Sequence, residues 1–383
     1  MKVEQFAWTQ QAGWSDDFPG KLAGAAQLVL VFGATAALHE TELVSQIRQA
    51  YASGYVLGCS TAGEIHGTHV LDDSLVVTAV QFDRTNLAAA EIELGEAADS
   101  LDAGRRLACC LDPVGLAHVL VISDGLKVNG SELVRGLTSQ LPPGVSVSGG
   151  LSGDGARFSR TLVCSGRTAG EGKVAAVGFY GGRLRVGCGS MGGWDSFGPD
   201  RLVTRSRANV LYELDGQSAL SLYKRYLGEH AARLPASGLL FPLSIRGEGA
   251  GKEGLVRTIL SVNEAEQSMT FAGDIAQGTH ARLMRASFER LIDGAQGAAQ
   301  AARQALGAAE PSLAILISCV GRKLVLKQRV EEEVEVVRDV LGRSAVLAGF
   351  YSYGEISPFA PTARCELHNQ TMTITALAEL PEL

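Results

Sequence analysis

Three glycine turns in this chain each end on an acidic residue, and acids held in glycine turns can meet a ligand. They read Gly58-Cys59-Ser60-Thr61-Ala62-Gly63-Glu64, Ser148-Gly149-Gly150-Leu151-Ser152-Gly153-Asp154 and Gly349-Phe350-Tyr351-Ser352-Tyr353-Gly354-Glu355. Glycine allows backbone N–H groups to approach a bound molecule closely. Ser60, Thr61, Glu64, Asp154 and Glu355 therefore form a candidate ligand-binding rim. Arg322, in Gly321-Arg322-Lys323, is placed to hold an anionic group at the third turn. The competing reading is that the glycines only permit tight strand exits and that Arg322 is a solvated loop charge. The second turn looks like a phosphate loop. It lacks the Gly-Lys-Ser/Thr ending and runs into a strand-like stretch at 157–163, which excludes a nucleotide site.

Histidine and cysteine supply the remaining chemistry. His368 follows Cys365 by three positions, so on a strand the two point to opposite faces and cannot share a metal. Alone, His368 could be the axial ligand of an iron, or a structural histidine bonded to backbone. His66 and His69 form an HxxH pair that could meet one metal or could lie exposed on a loop. His280 opens a long helical pattern and could point into a cleft. Cys59 sits where a nucleophile could be displayed, with His39 or His66 as a base, which defines a thiol-enzyme alternative.

The elements that would position these groups repeat three times. Each unit opens with an apolar strand: Leu28-Val29-Leu30-Val31-Phe32, Val119-Leu120-Val121-Ile122 and Ala314-Ile315-Leu316-Ile317. An amphipathic helix follows, near 40–51, 130–141 and 327–341, and then a second strand and the glycine turn. The text is β from 161 to 190. The stretch at 192–199 breaks the pattern and predicts a boundary between domains 1–198 and 199–383. A long Ala-rich helix is expected over 280–306, and the triplet Glu331-Glu332-Glu333 with Glu335 reads as an exposed helix face. The fold class is α/β: two domains of layered mixed β-sheets with packed helices, built on a repeated β-α-β-glycine-turn unit.

Bulk properties narrow the partners. At 383 residues, two domains are the natural expectation. A net charge of −7 without a basic run argues against nucleic acid. The longest apolar run, 28–38, is short of the roughly 18 residues that span a bilayer. The start shows no h-region, and seven cysteines without CxxC spacing fit a reducing cytoplasm.

The turns at 58–64 and 149–155, the runs at 203–206, 211–216, 223–228 and 273–275, and the closing runs at 349–357 and 365–373 together resemble the FIST family. The resemblance covers nearly the whole chain through the number and order of its motifs. It implies a non-enzymatic sensor with a FIST N-terminal and a FIST C-terminal domain. The two-domain length resembles a subgroup that binds haem b, senses nitric oxide and regulates a partner histidine kinase. For that version His368, then His280 and His66, are the candidate haem ligands. The haem-free version is a sensor of a small metabolite such as an amino acid. A homodimer is compatible with either.

Overall fold

The apolar runs that open the three repeats become the central strands of three separate sheets. The computed structural model describes residues 1–15, 17–95, 99–166, 168–247, 254–358 and 364–380. The first unit comprises β1 (Lys2–Thr9), β2 (Leu28–Gly33), α1 (Thr41–Ala50), β3 (Tyr55–Ser60), the hairpin β4 (Glu64–His66) and β5 (His69–Leu71), and β6 (Ser74–Gln81). The second comprises β7 (Asn86–Glu93), α2 (Ser100–Cys109), β8 (Leu116–Ser123), α3 (Gly130–Thr138), β9 (Ser146–Leu151), the hairpin β10 (Val163–Ser165) and β11 (Thr168–Gly170), and β12 (Lys173–Tyr180).

The third unit opens with β13 (Leu184–Met191) and is then interrupted by an insert. The insert contains β14 (Trp194–Arg207), β15 (Val210–Leu214), α4 (Ala219–Leu227), β16 (Leu243–Arg246), β17 (Leu255–Arg257), β18 (Ile259–Asn263), β19 (Ser268–Phe271) and β20 (His280–Ala286). These strands belong to an eight-stranded antiparallel sheet. The unit resumes with α5 (Phe288–Leu306), β21 (Leu313–Cys319), α6 (Val320–Leu326), α7 (Val330–Leu341), β22 (Val346–Ser352), the hairpin β23 (Gly354–Pro358) and β24 (Cys365–His368), and β25 (Met372–Glu379).

The pairing is the same in every unit. The strands flanking the helix run parallel, as β2/β3, β8/β9 and β21/β22. The return strands β6, β12 and β25 lie antiparallel to the first of each pair. The lead strands β1, β7 and β13 then cover the return strands. Each hairpin leaves its own unit: β4 joins β22, β10 joins β3, and β23 joins β9. The three sheets are thus tied by a cyclic exchange of hairpins.

This architecture explains the unbroken apolar runs. β2 and β21 are buried along their whole length, as strands covered on both faces must be. One core cluster takes Leu30 and Phe32 from the first unit, Leu120 and Phe179 from the second, and Ile317 and Phe350 from the third. The Phe32 and Phe350 rings lie 4.7 Å apart across it. The helices cover the outer faces. Asn129 caps α3 by accepting from Ser131 and Glu132 N–H, as its position before the helical pattern predicts.

Two expectations are corrected or refined here. The helix over 280–306 is shorter: residues 280–286 form β20, and α5 starts at Phe288 behind the Ser287 cap. Ala281 and Leu283 alternate into the insert core, which sets a strand period before the cap sets a helical one. The acidic run on α7 is not uniformly exposed, because Glu333 is fully buried. The expected boundary at 198/199 falls inside β14. Among the described residues, no helix is long and apolar enough to cross a membrane.

Candidate functional site

The structure brings the three glycine turns together at one end of the parallel strands. Ala62 N–H donates to the Tyr351 carbonyl at 2.8 Å, and Tyr351 N–H to the Gly63 carbonyl at 2.8 Å. Gly153 N–H donates to the Ser60 carbonyl at 2.9 Å, and Tyr353 N–H to the Leu151 carbonyl at 3.3 Å. These four N–H groups are spent on neighbouring turns. The carboxylates are equally engaged. Glu64 accepts from the Thr61 hydroxyl and from Ser74 Oγ at 2.5 Å. Glu355 accepts from Ser352 Oγ at 2.6 Å and from Thr371 N–H and Oγ1 at 3.1 and 2.9 Å. Ser60 Oγ accepts from Leu162 N–H at 2.8 Å.

Asp154 is not the third copy of this arrangement. Glu64 lies opposite Phe350 and Glu355 opposite Gly150; the matching place, opposite Cys59, holds Val163. Asp154 instead organises the loop that follows it. It accepts from Phe158 N–H at 2.9 Å, from Ser159 and Arg160 N–H at 2.9 and 2.8 Å, and from the Tyr353 hydroxyl. Burial pushes its carboxyl up, but those donors outweigh burial and hold it below its ordinary value.

Glu64 and Glu355 behave oppositely. Burial raises Glu64 to about 7 and Glu355 to about 8, and the hydroxyl donors offset only part of that. A folded pKa above the unfolded one means the folded state holds the proton more tightly. The stability these two groups contribute is complete below the ordinary glutamate value of 4.5 and is lost as pH rises through 7 to 8. Glu64→Gln and Glu355→Gln keep the uncharged shape. The expected gain over the parent at about pH 9 relative to about pH 5 is about 3 kcal/mol for Glu64→Gln and about 4 kcal/mol for Glu355→Gln. Urea unfolding across that range checks this, and parallel pH profiles for parent and variants would refute it.

The other candidate residues are dispersed. Arg322 is fully buried, and its guanidinium is occupied by Glu333, the Gly192 carbonyl and the Leu291 carbonyl. It is an internal strut and not a loop charge. Cys59 lies in the shared core, where burial pushes its thiol well up, so it is no displayed nucleophile. His66 and His69 face each other across the β4–β5 hairpin, and His69 lies beside Glu331 at 3.3 Å. His280 is exposed at the start of β20. His368 is buried on β24, with Nε2 donating to the Ser357 carbonyl at 2.9 Å, and burial lowers it to about 4. Among the described residues, no three His, Cys, Asp or Glu side chains gather as a metal cluster.

Two cavities flank β17. The larger, about 870 Å³, lies between the insert and the second and third units. Its walls include Ser131, Val134, Arg135 and Thr138 of α3, Arg257 of β17, Asp274, and Glu366 and Leu367 of β24. The smaller, about 550 Å³, is lined by Trp194, Asp195, Arg290, Asp293, His368, Asn369 and Thr371 among others. Its fit to haem b can be tested on these residues. A neutral histidine fixed by a backbone carbonyl suits an iron ligand. The walls mix the apolar Met191, Trp194, Leu255, Val256 and Met284 with the charged Asp195, Asp293 and Arg290, so an apolar disc would meet both kinds of surface.

Sequence reasoning pointed to the turns and missed Arg257 and Arg135. Arg257 sits on a three-residue strand with no periodic signature, and Arg135 reads as an ordinary helix surface charge. The expected helix near 130–141 and the family-like runs at 273–275 and 365–373 touched the larger cavity, without marking it as a site.

Among solved structures, the chain is similar to the cyanuric acid hydrolase of A. caulinodans, at 9% identity over 99% of each chain with a TM-score of 0.39. It is also similar to a cyanuric acid hydrolase described as an innovation by structural concatenation, at 8% identity over 99% of each chain with a TM-score of 0.33. No curated protein matches it. A FIST N domain matches residues 27–217 and a FIST C domain matches residues 219–358. The chain therefore belongs to the FIST family of sensory, signal-transduction domains.

Proposed function

We propose that this protein is a haem-free sensor of a small metabolite, which binds in the larger cavity and alters how the insert docks on the three-sheet core. A signalling partner such as a sensor histidine kinase reads the change. The carrying observation is the cavity's position. Its 870 Å³ fall within the range of ligand pockets, and its walls come from both sides of the docking contact. A ligand touching both sides has differential affinity for docked and undocked states, which is what a switch requires. The polar links it would bias include contacts of β24 and the residues after it with the insert. Asn369 Oδ1 accepts from Thr258 N–H at 3.3 Å, and Gln370 donates to the Leu239 carbonyl at 3.0 Å.

The test combines a metabolite thermal-shift panel with hydrogen exchange on the full chain. A ligand that raises Tm is expected to slow exchange at residues 255–260 and 364–371. Protection confined to other regions would place the site elsewhere. An absorption spectrum after expression with ample haem decides the alternative. A stoichiometric Soret band that shifts with nitric oxide would overturn the haem-free reading and return His368 to the centre, with His280 and His66 as the other ligands to mutate.

A further inference from the structure

We infer that Arg257 is the anchor for a carboxylate group of the ligand in the larger cavity. The inference rests on the cavity reading above and names the ligand's chemistry. Arg257 is 4% exposed and lines the cavity. Its guanidinium touches only neutral groups. Nε donates to the Asp274 carbonyl at 3.1 Å, Nη1 to the Leu367 carbonyl at 3.0 Å, and Nη2 to Ser131 Oγ at 3.4 Å. Among the described residues no carboxylate stands at ion-pair distance from it, although Asp274 and Glu366 act on it through space. The Asp274 carboxylate is turned to Asn129, at 2.6 Å, and to Arg135, at 3.6 Å.

A buried cation without a contacting counter-charge is costly, and among the described residues the other deeply buried arginine, Arg322, has Glu333. Burial lowers Arg257 to about 10, and the more distant Asp274 and Glu366 carboxylates offset only part of that. The guanidinium is a planar fork that matches a carboxylate in two hydrogen bonds. Nη2 makes a single long bond, while Nη1 also reaches the Val256 carbonyl at 3.4 Å, so Nη2 is the nitrogen with the fewest partners to give up for a ligand. Arg135 and Arg364 add positive charge to the same walls, where Asp274 and Glu366 supply negative charge, so with Arg257 the arginines outnumber the carboxylates by one. A carboxylate bound there would engage a side chain that already ties the insert to β24 and to α3, so binding would tighten the docking contact.

Thermal unfolding of the full chain in rising sodium formate or acetate tests this, with ionic strength held by sodium chloride. Formamide and acetamide are the uncharged matches, and inorganic phosphate is a second anion. The expected result is a saturable rise in Tm with the carboxylates and none with the amides. Half-saturation should move up at least about tenfold in Arg257→Lys, which keeps the charge but loses the fork. In Ala276→Trp, at the exposed wall of the cavity, the rise should vanish while the Tm in sodium chloride alone is kept. This variant decides the matter if Arg257→Lys fails to fold. A rise with phosphate alone, or one unchanged in Arg257→Lys, overturns the assignment. No rise with any carboxylate also overturns it. If a neutral metabolite still binds and Ala276→Trp blocks it, the cavity stands as the ligand site without Arg257 as its anchor.

Discussion

Glu333→Ala is expected to destabilise the protein by about 3–5 kcal/mol, because it strands a fully buried guanidinium. Arg322 Nη2 lies 2.8 Å from Glu333 Oε2, and neither side chain is exposed. Glu333 also accepts from Ser318 Oγ at 3.1 Å and from the Tyr351 hydroxyl at 2.6 Å. One substitution therefore leaves a cation, two hydroxyls and a cavity without their partner. The double variant Arg322→Met/Glu333→Leu is expected to lie closer to the parent than Glu333→Ala does, since it removes both charges together. Some loss remains, because the Gly192 and Leu291 carbonyls would lose the N–H donors they now have. Urea midpoints of parent, single and double variants measure the cycle. A Glu333→Ala midpoint equal to that of the parent would show that the pair does not hold α6 and α7 in place.

The second large effect is steric. Gly58, Gly149 and Gly349 occupy the same place in the three parallel pairs, opposite Val31, Val121 and Leu316. A Cβ at these positions would lie 1.7, 1.7 and 1.8 Å from the carbonyl oxygens of those partners. Backbone cannot turn aside as a side chain can, so the strands would have to part. Gly58→Ala and Gly349→Ala should each cost about 3 kcal/mol or more, and either can abolish soluble expression. Gly182→Ala is the control: nothing lies within 4 Å of its Cβ position, and its effect should stay within about 0.5 kcal/mol. Thermal melts of the three variants check the contrast. A Gly58→Ala protein as stable as Gly182→Ala would mean that the parallel pairs tolerate wider spacing than their register implies.

Those glycines show how far the sequence could be read. The repeat was legible because its causes are local: an apolar strand buried on both faces, a 3.6-period helix, and a glycine where two backbones must touch. The purpose of the turns was not legible. A glycine turn ending in Glu64 looks the same whether its N–H groups face a ligand or the Tyr351 carbonyl. Arg322 looked like rim charge because its partner Glu333 lies on the next helix, inside a run of glutamates that suggested solvent. Asp154 looked like a third copy because spacing counted the acid, whereas strand register gives that place to Val163. The insert disguised the third unit by separating β13 from its own helix α5. The larger cavity was hidden for the same reason: its walls come from α3, β17 and β24, which only tertiary packing unites.

The cyclic hairpin exchange also sets an order of assembly. β13 is completed by β25, β22 by β4, and β9 by β23, so partners made early in synthesis wait for partners made late. A cut between residues 217 and 219, where the two family matches meet, would separate all three pairs and leave each fragment with raw strand edges. The boundary between the two family matches thus cuts across strand pairs in two of the three sheets that the hairpins link. Until the last strand joins, the nascent chain must keep its open edges from pairing with other chains, and its closure is governed by contacts of very high sequence separation.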